Sequence, residues 1–194
     1  NYQERVFFLG ANGSGKTVLA GEMIRPYPRA VVLDIKYDFP IPWRDGEYIL
    51  LAGQVPWDAS VDFTDHPQWL KEAADNLRAV SGREVIFRPH PKGMLPPSEG
   101  CGYSTGPLSE ALAGAHCVVT FNSNTGVDAA LAGVPVFAFD IGSMVYPIAN
   151  KNWLSIEKPE KPDRTQWLNN IAYAQWTPAE MRSGEAWEHH YPEI

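Results

Sequence analysis

The sequence has few cysteines, lacks any long apolar run and has fewer basic than acidic residues. Its two cysteines, Cys101 and Cys117, have a spacing that fits neither a metal-binding motif nor a disulfide framework. No stretch reaches the roughly 18 consecutive apolar residues of a membrane-spanning helix, and no pattern typical of a signal peptide is present. The net charge of -7 argues against a general polyanion-binding protein. We therefore expect a cytoplasmic protein without a membrane span.

What the chain does have is an alternation of short apolar runs with helical patterns. The runs, rich in β-branched, aliphatic and aromatic residues, occupy residues 6–9, 30–34, 48–52, 84–88, 117–121 and 135–139. Runs of this length suit strands that are buried on both faces of a parallel sheet. Helical spacing is clearest at residues 66–80, and shorter candidates lie at residues 17–24, 107–114 and 125–132. The alternation predicts a Rossmann-like α/β fold, with a doubly wound, mostly parallel sheet and helices on both faces.

Two proline-containing segments indicate domain boundaries. The segment F-P-I-P-W-R at residues 39–44 breaks any regular element and divides residues 1–42 from residues 43–157. The linker K-P-E-K-P at residues 158–162 introduces a C-terminal helical extension, residues 158–194. Within this extension, capping signals predict helices near residues 164–174 and 178–187.

The sequence G-A-N-G-S-G-K-T at residues 10–17 fits the P-loop pattern G-x-x-x-x-G-K-[ST]. Glycines let backbone N–H groups surround a phosphate, and a helix that begins at the same point adds its positive end. The lysine binds the β- and γ-phosphates, and the Thr17 hydroxyl binds the magnesium ion that accompanies ATP. The motif predicts a nucleotide-binding site formed by Gly10, Gly13, Ser14, Gly15, Lys16 and Thr17.

Residues 5–40 resemble HerA/FtsK-like packaging and translocation ATPases, in which an Asp-x-Lys like D-I-K at residues 34–36 follows the first helix. A working NTPase also needs an acidic residue on a neighbouring strand, close to the magnesium ion. Asp34 lies on the next strand along the chain, whereas that family places its metal-binding acid on a later strand. Asp58 and Asp140 are the later candidates, and no later run ends in paired acids. The resemblance implies an ATP-binding unit that lacks most of an ATPase.

Polar side chains follow two apolar runs in the second half of the chain. Arg88, His90 and Lys92 lie in R-P-H-P-K, and the turn N-S-N-T-G follows the next long run. Ligands of open α/β sheets bind at the carboxyl ends of strands, where loops meet helix starts. Hydroxyls and free helix N–H groups can bind a phosphate without a metal, and a glycine allows close approach. We expect a phosphate site that includes Asn122, Ser123, Asn124, Thr125 and Gly126.

These motifs resemble the C-terminal, nucleotide-sugar-binding domain of GT-B-type glycosyltransferases over residues 43–157. Bacterial and phage members, including capsule, Kdo and sialyl transferases, share the His-Pro and Ser/Thr-rich elements. The resemblance implies a UDP-, GDP- or CMP-linked sugar donor and a glycan, lipid or modified-DNA acceptor. It implies catalytic roles for His90 and Arg88, which would stabilise the departing phosphate, and donor binding by Lys92 and residues 122–126.

One part of such a transferase has no counterpart in the sequence. GT-B enzymes carry the acceptor site on a separate N-terminal domain, and about 40 residues are too few to form one. The chain is therefore a fusion of two truncated modules, or the P-loop unit extends the sheet, or a further domain or partner chain completes the site. Three hypotheses follow for function: a glycosyltransferase-like domain, a P-loop ATPase, or a nucleotide-binding fold without a complete active site.

Overall fold

The computed structural model describes residues 7–8, 31–32, 42–61, 63–93, 95–174 and 176–190. The chain divides into two compact units, Ile41–Asp163 and Asn1–Pro40 together with Arg164–Ile194. The two motifs of the second half, at residues 88–92 and 122–126, belong to the Ile41–Asp163 unit. Residues 10–17, the helix predicted at residues 17–24 and Asp34 lie outside the described residues.

Two short strands are described in the N-terminal part of the chain. β1 (Phe7–Phe8) and β2 (Val31–Val32) pair in parallel, with Phe7 opposite Val31. They form a two-stranded sheet of their own and lie within the predicted runs at residues 6–9 and 30–34. Parallel neighbours need a crossover connection, and the P-loop motif lies in the segment that joins these two strands.

Five parallel strands form the sheet of the Ile41–Asp163 unit, in the order β5-β4-β3-β6-β7. Their bounds are β3 (Tyr48–Ala52), β4 (Val85–Arg88), β5 (Gly102–Tyr103), β6 (Ala115–Thr120) and β7 (Val136–Ala138). Every residue of β6 is buried, as expected of a central strand covered on both faces. The predicted α/β class with a parallel sheet is confirmed.

β5 is the strand that the sequence pattern misses. It lies in a segment rich in proline, glycine and serine, which reads as a loop. Its two residues pair with β4, with Gly102 opposite Ile86 and Tyr103 opposite Phe87. A two-residue strand at the edge of a sheet has no periodicity of its own, so only its neighbour reveals it.

One face of the sheet is covered by α1 (His66–Val80), whose bounds match the prediction. The Asp65 carboxylate caps the helix by accepting a hydrogen bond from the Gln68 N–H (3.1 Å). The apolar stripe of α1 packs against alternate residues of three strands. The resulting core includes Leu70, Ala73, Ala74, Leu77, Ile49, Leu51, Val85, Phe87, Cys117 and Val119.

The opposite face is covered by α2 (Leu108–Ala113) and α3 (Thr125–Leu131). The Tyr48 hydroxyl donates to the Ala111 carbonyl (2.6 Å) and ties α2 to β3. In α3, a Cβ at Gly126 would lie 2.8 Å from Val145 Cγ1 and 3.3 Å from Val136 Cγ1. The close approach that the sequence predicts at Gly126 is therefore made by the helix to neighbouring protein side chains, including one from β7.

Three helices are described in the C-terminal part: α4 (Thr165–Ala174), α5 (Pro178–Ser183) and α6 (Glu185–His190). The predicted cap at Thr177 is confirmed: its hydroxyl accepts from the Glu180 N–H, and its own N–H donates to the Glu180 carboxylate. The prediction of one continuous helix over residues 178–187 is wrong. Gly184 adopts a φ of 87° and ends α5, because glycine reaches the left-handed region without steric cost.

Candidate functional site

Three neighbouring strands of the sheet end at the same level. Ala52, the last residue of β3, pairs with Arg88 of β4 on one side and with Thr120 of β6 on the other. From β3 the chain continues outward to β4 and β5, whereas from β6 it continues in the opposite direction to β7. Such a reversal opens a crevice at the carboxyl edge, where α/β proteins bind ligands. Both sequence motifs begin at this edge.

Gln54 and Asn122 join the ends of β3 and β6 across the switch point by a pair of hydrogen bonds. Gln54 Nε2 donates to Asn122 Oδ1 (2.5 Å), and the Asn122 backbone N–H donates to Gln54 Oε1 (3.1 Å). Asn122 Nδ2 donates to the Ser60 carbonyl (2.9 Å) and to Asp140 Oδ2 (2.5 Å). Because a carboxylate and a carbonyl only accept, these two partners fix the orientation of the Asn122 amide, and thereby that of Gln54.

Asn122 therefore holds together the segments that follow β3, β6 and β7. The sequence predicts that its amide binds the donor, whereas both amide atoms are engaged within the protein. Gln54 is not among the predicted site residues, although its place two residues after β3 was a usable signal. The sequence offers Asp140 as a metal ligand for the P-loop unit but favours a loop residue of the second half of the chain. In the structure, Asp140 accepts from Asn122 and from the Gly142 N–H (3.1 Å).

The turn from residue 123 to residue 125 presents hydroxyl groups at the edge. The Ser123 hydroxyl donates to Thr125 Oγ1 (3.2 Å) and accepts from the Thr125 N–H (3.2 Å). The Gly126 N–H donates to the Ser123 carbonyl (3.0 Å). The expectation of free N–H groups at this helix start is therefore wrong for Thr125 and Gly126, because the turn satisfies them itself. The half-buried hydroxyls of Ser123 and Thr125 and the exposed Asn124 remain on this turn.

His90 lies in a tight turn after β4. Its carbonyl accepts from the Gly93 N–H (2.9 Å), and its Nδ1 accepts from the Lys92 N–H (3.1 Å). An imidazole nitrogen that accepts a hydrogen bond carries no proton, so the neutral ring carries its proton on Nε2. The prolines on both sides restrict the backbone. His90 is half-buried, and its Nε2–H is a hydrogen-bond donor held by the turn.

The segment between β3 and α1 extends toward the His90 turn. The Ser60 N–H donates to Asp58 Oδ1 (2.9 Å). This backbone bond and the Ser60 hydroxyl lower the pKa of Asp58. A Cβ at Gly93, in the His90 turn, would lie 3.2 Å from Pro56 Cδ and 3.3 Å from Val55 Cα, so this segment packs against that turn. The same segment meets the Asn122 amide through the Ser60 carbonyl. It therefore reaches from the end of β4 to the end of β6.

Arg88 and Lys92 do not join His90 in one cluster. Arg88 Nη1 donates to Ser104 Oγ (3.3 Å), and Ser104 follows β5, on the side of β4 away from β3. Lys92 contributes its backbone N–H to the turn, and its side chain is exposed. Of the two residues predicted as catalytic, His90 lies next to the segment that crosses the switch point. Arg88 instead donates to Ser104, which follows the edge strand β5.

Aromatic rings lie behind the switch point, on the α1 side of the sheet. Phe121 directly precedes Asn122, and its ring centroid is 5.2 Å from that of Trp69 and 6.1 Å from that of His66. His66 is fully buried, and neither ring nitrogen has a hydrogen-bond partner. Burial lowers the pKa of His66 below its ordinary value. His116, within β6, is buried, with its Nε2 2.9 Å from the Ile156 carbonyl oxygen.

The described residues also show a groove away from the predicted site and two absences. A groove of about 470 Å³ lies between α1 and the segment at residues 95–99, and none of the predicted site residues lines it. Within the described ranges, no three His, Cys, Asp or Glu side chains are grouped so that they could hold a metal. None of the helices in that part of the chain has the length and apolar character needed to cross a membrane.

Two solved structures from Thermosulfurimonas dismutans are similar to this chain. One is described as KpsC, beta Kdo 2,7 transferase, with 21% identity, a TM-score of 0.42, and coverage of 60% of this chain and 45% of that one. The other is described as KpsC, beta Kdo 2,4 transferase, with 16% identity, a TM-score of 0.41, and coverage of 72% and 52%. The chain thus spans about half the length of each. No protein-family model and no curated protein matches it.

Proposed function

We propose that the carboxyl edge of β3, β4 and β6 binds the nucleotide-sugar donor of a glycosyltransferase. One observation supports this most directly: the Arg-Pro-His-Pro and Asn-Ser-Asn-Thr-Gly motifs flank the switch point of a doubly wound parallel sheet. The ends of β4 and β6 are two strand spacings apart, about 10 Å. A nucleotide with one or two phosphates can bridge groups at that separation.

The residues at this edge suit the departure of a phosphate. In glycosyl transfer, the bond between the anomeric carbon and the phosphate oxygen breaks, and its electron pair leaves with the phosphate. An acceptor hydroxyl forms the new bond to that carbon and passes its proton to a general base, which would belong to the acceptor site. We assign His90 Nε2–H and the hydroxyls of Ser123 and Thr125 to the phosphate oxygens, where they would stabilise the developing negative charge. The exposed side chain of Lys92, on the same turn as His90, would add a positive charge on ligand binding.

We propose that a further domain or a partner chain supplies the acceptor site, as the resemblance to GT-B-type glycosyltransferases implies. The acceptor would be a glycan, a lipid or modified DNA, as the family resemblance implies. This assignment predicts that the chain by itself binds donor nucleotides without transferring the sugar.

Replacing His90 by asparagine should weaken the binding of a UDP-, GDP- or CMP-sugar by roughly 10- to 100-fold, without loss of folding. Asparagine can accept the Lys92 N–H in place of Nδ1, but it is too short to reach the phosphate. Loss of one hydrogen bond to a charged group costs about 1.5–3 kcal/mol. Isothermal titration of each sugar nucleotide into the wild type and the variant measures the difference.

His90→Gln is the matched variant, because its amide places a donor near the position of Nε2 while giving up the Nδ1 acceptor. It should retain more affinity than His90→Asn, even if the turn becomes less stable. Equal affinities of wild type and His90→Asn would contradict the assignment of His90. If no sugar nucleotide binds at millimolar concentration, the donor-binding proposal as a whole fails.

The P-loop motif supports a second candidate, ATP–magnesium binding through residues 10–17. The parallel pairing of β1 with β2 favours it, because a P-loop connects two strands that run in the same direction. Lys16→Ala should abolish the thermal shift caused by ATP–magnesium and leave the shift caused by sugar nucleotides intact. A saturating ligand at about 100 times its Kd stabilises by about 2.7 kcal/mol, so the shift is measurable. An equal ATP shift in both proteins would exclude the motif as the binding site.

A further inference from the structure

An exposed aromatic ring lies beside the switch point. Phe63, in the segment between β3 and α1, is 73% exposed. Its ring centroid is 6.3 Å from that of Phe121, which directly precedes Asn122. The segment is held at this edge because the Ser60 carbonyl accepts a hydrogen bond from Asn122 Nδ2. Phe63 therefore lies close to Phe121 and Asn122, the two residues that directly precede the Ser123–Thr125 turn in the chain.

A continuous series of rings supports Phe63 from behind. The centroid of Phe121 is 5.2 Å from that of Trp69, Trp69 is 6.2 Å from Phe139, and Phe139 stacks on Trp153 at 4.0 Å. Trp69, Phe139 and Trp153 pack against the hydrophobic core, so this series is anchored. Phe63 is the member of the series that extends into solvent. A flat apolar face held in place before binding loses little conformational entropy when a planar ligand stacks on it.

We propose that Phe63 is the platform on which the base of the nucleotide stacks; this inference rests on the proposed donor-binding function. Every nucleobase presents a π-face, and stacking on an aromatic side chain contributes strongly to its binding. A nucleotide carries its planar group at one end and its phosphate at the other. Phe63 and Phe121 offer an aromatic face, and the hydroxyls of Ser123 and Thr125 follow Phe121 and Asn122 along the chain.

The test compares nucleotides that have a base with a phosphate that lacks one. CMP, UMP and GMP are titrated by calorimetry into the full chain, in parallel with ribose 5-phosphate. The variants are Phe63→Ala, Phe63→Leu and Phe63→Tyr, with Met181→Ala as a control at a side chain that is 59% exposed and lies on α5. Because Phe63 is mostly exposed, these variants are expected to fold, which circular dichroism verifies.

Phe63→Ala and Phe63→Leu should lower the affinity for the three nucleotides by roughly 5- to 100-fold, while the affinity for ribose 5-phosphate stays constant. Phe63→Tyr should retain the affinity of the wild type, because it keeps the ring, and Met181→Ala should leave the affinity for all four ligands unchanged. Retention of nucleotide affinity in Phe63→Leu would overturn the stacking role, as would an equal loss of ribose 5-phosphate binding. If the nucleotides bind equally well to the wild type and to the Phe63 variants, the stacking role is refuted but the donor-binding proposal is not. If the wild type binds none of the four ligands, the stacking role and the donor-binding proposal are both refuted.

Discussion

Asn122→Asp is expected to lower the free energy of unfolding at pH 7 by about 2–4 kcal/mol. The substitution keeps the size of the side chain but replaces the amide that donates to Asp140 Oδ2 with a second carboxylate. It also removes the hydrogen bond to the Ser60 carbonyl, since an ionised carboxylate cannot donate. Denaturant unfolding followed by tryptophan fluorescence measures the loss.

The loss should become smaller as the pH falls. In the folded variant two carboxyl groups would lie within hydrogen-bonding distance, so the folded state would hold a shared proton more tightly than the unfolded state does. When a group binds its proton more tightly in the folded state than in the unfolded state, the protein gains stability as the pH decreases. Adding Asp140→Asn should restore part of the stability at pH 7, because an amide again faces a carboxylate across this contact.

Asn124→Asp is the matched control for this prediction. It introduces the same charge two residues later, at an exposed position that caps α3 without a side-chain hydrogen bond. An acidic residue is favoured at a helix start, so Asn124→Asp should leave stability unchanged or raise it slightly. Equal unfolding curves for the Asn122 and Asn124 variants at every pH would contradict the bridging role of Asn122.

His66→Phe should make the protein less sensitive to acid and should raise its stability at pH 7 by about 1 kcal/mol. The fully buried ring of His66 has no hydrogen-bond partner, so an apolar ring of similar shape removes two unsatisfied polar atoms. The new ring would still pack against Trp69, which stacks on His66 at a centroid distance of 5.8 Å.

The direction of the acid effect follows from the pKa of His66. Burial lowers this pKa in the folded state below the ordinary value of 6.5. The unfolded state therefore binds the proton at a higher pH than the folded state, and the wild type loses stability as the pH falls below about 6.5 toward the folded pKa. The His66→Phe variant lacks this contribution, so the difference between the two proteins should widen over that interval.

His66→Ala separates packing from charge. It removes the titrating group as His66→Phe does, but it also leaves a cavity, which costs about 3 kcal/mol or more at every pH. Thermal unfolding between pH 5 and pH 8 distinguishes the three proteins. If the stabilities of the wild type and of His66→Phe change with pH in parallel, protonation of the buried His66 does not destabilise the folded state, which would contradict this prediction.

Much of the local structure could be read from contiguous residues. The bounds of β3 and α1 match the prediction, because a buried strand and an amphipathic helix each carry their own periodicity. The division of residues 178–190 into two helices was missed, although Gly184 was visible. A glycine inside a helical pattern either continues the helix or ends it, and only its backbone angle decides which.

The sequence by itself determined that this protein has a parallel α/β sheet and that polar motifs follow two of its strands. Short buried runs, helix caps and motif spacing are properties of neighbouring residues, so they can be recognised in the sequence without knowledge of the fold. Only the tertiary structure decided which strands adjoin. Gln54 and Asn122 are 68 residues apart, and their hydrogen bond exists because β3 and β6 are neighbours at the switch point. That adjacency gives Asn122 its hydrogen bonds to three segments and places Phe63 close to Phe121, because polar groups and rings acquire their partners only when distant segments meet.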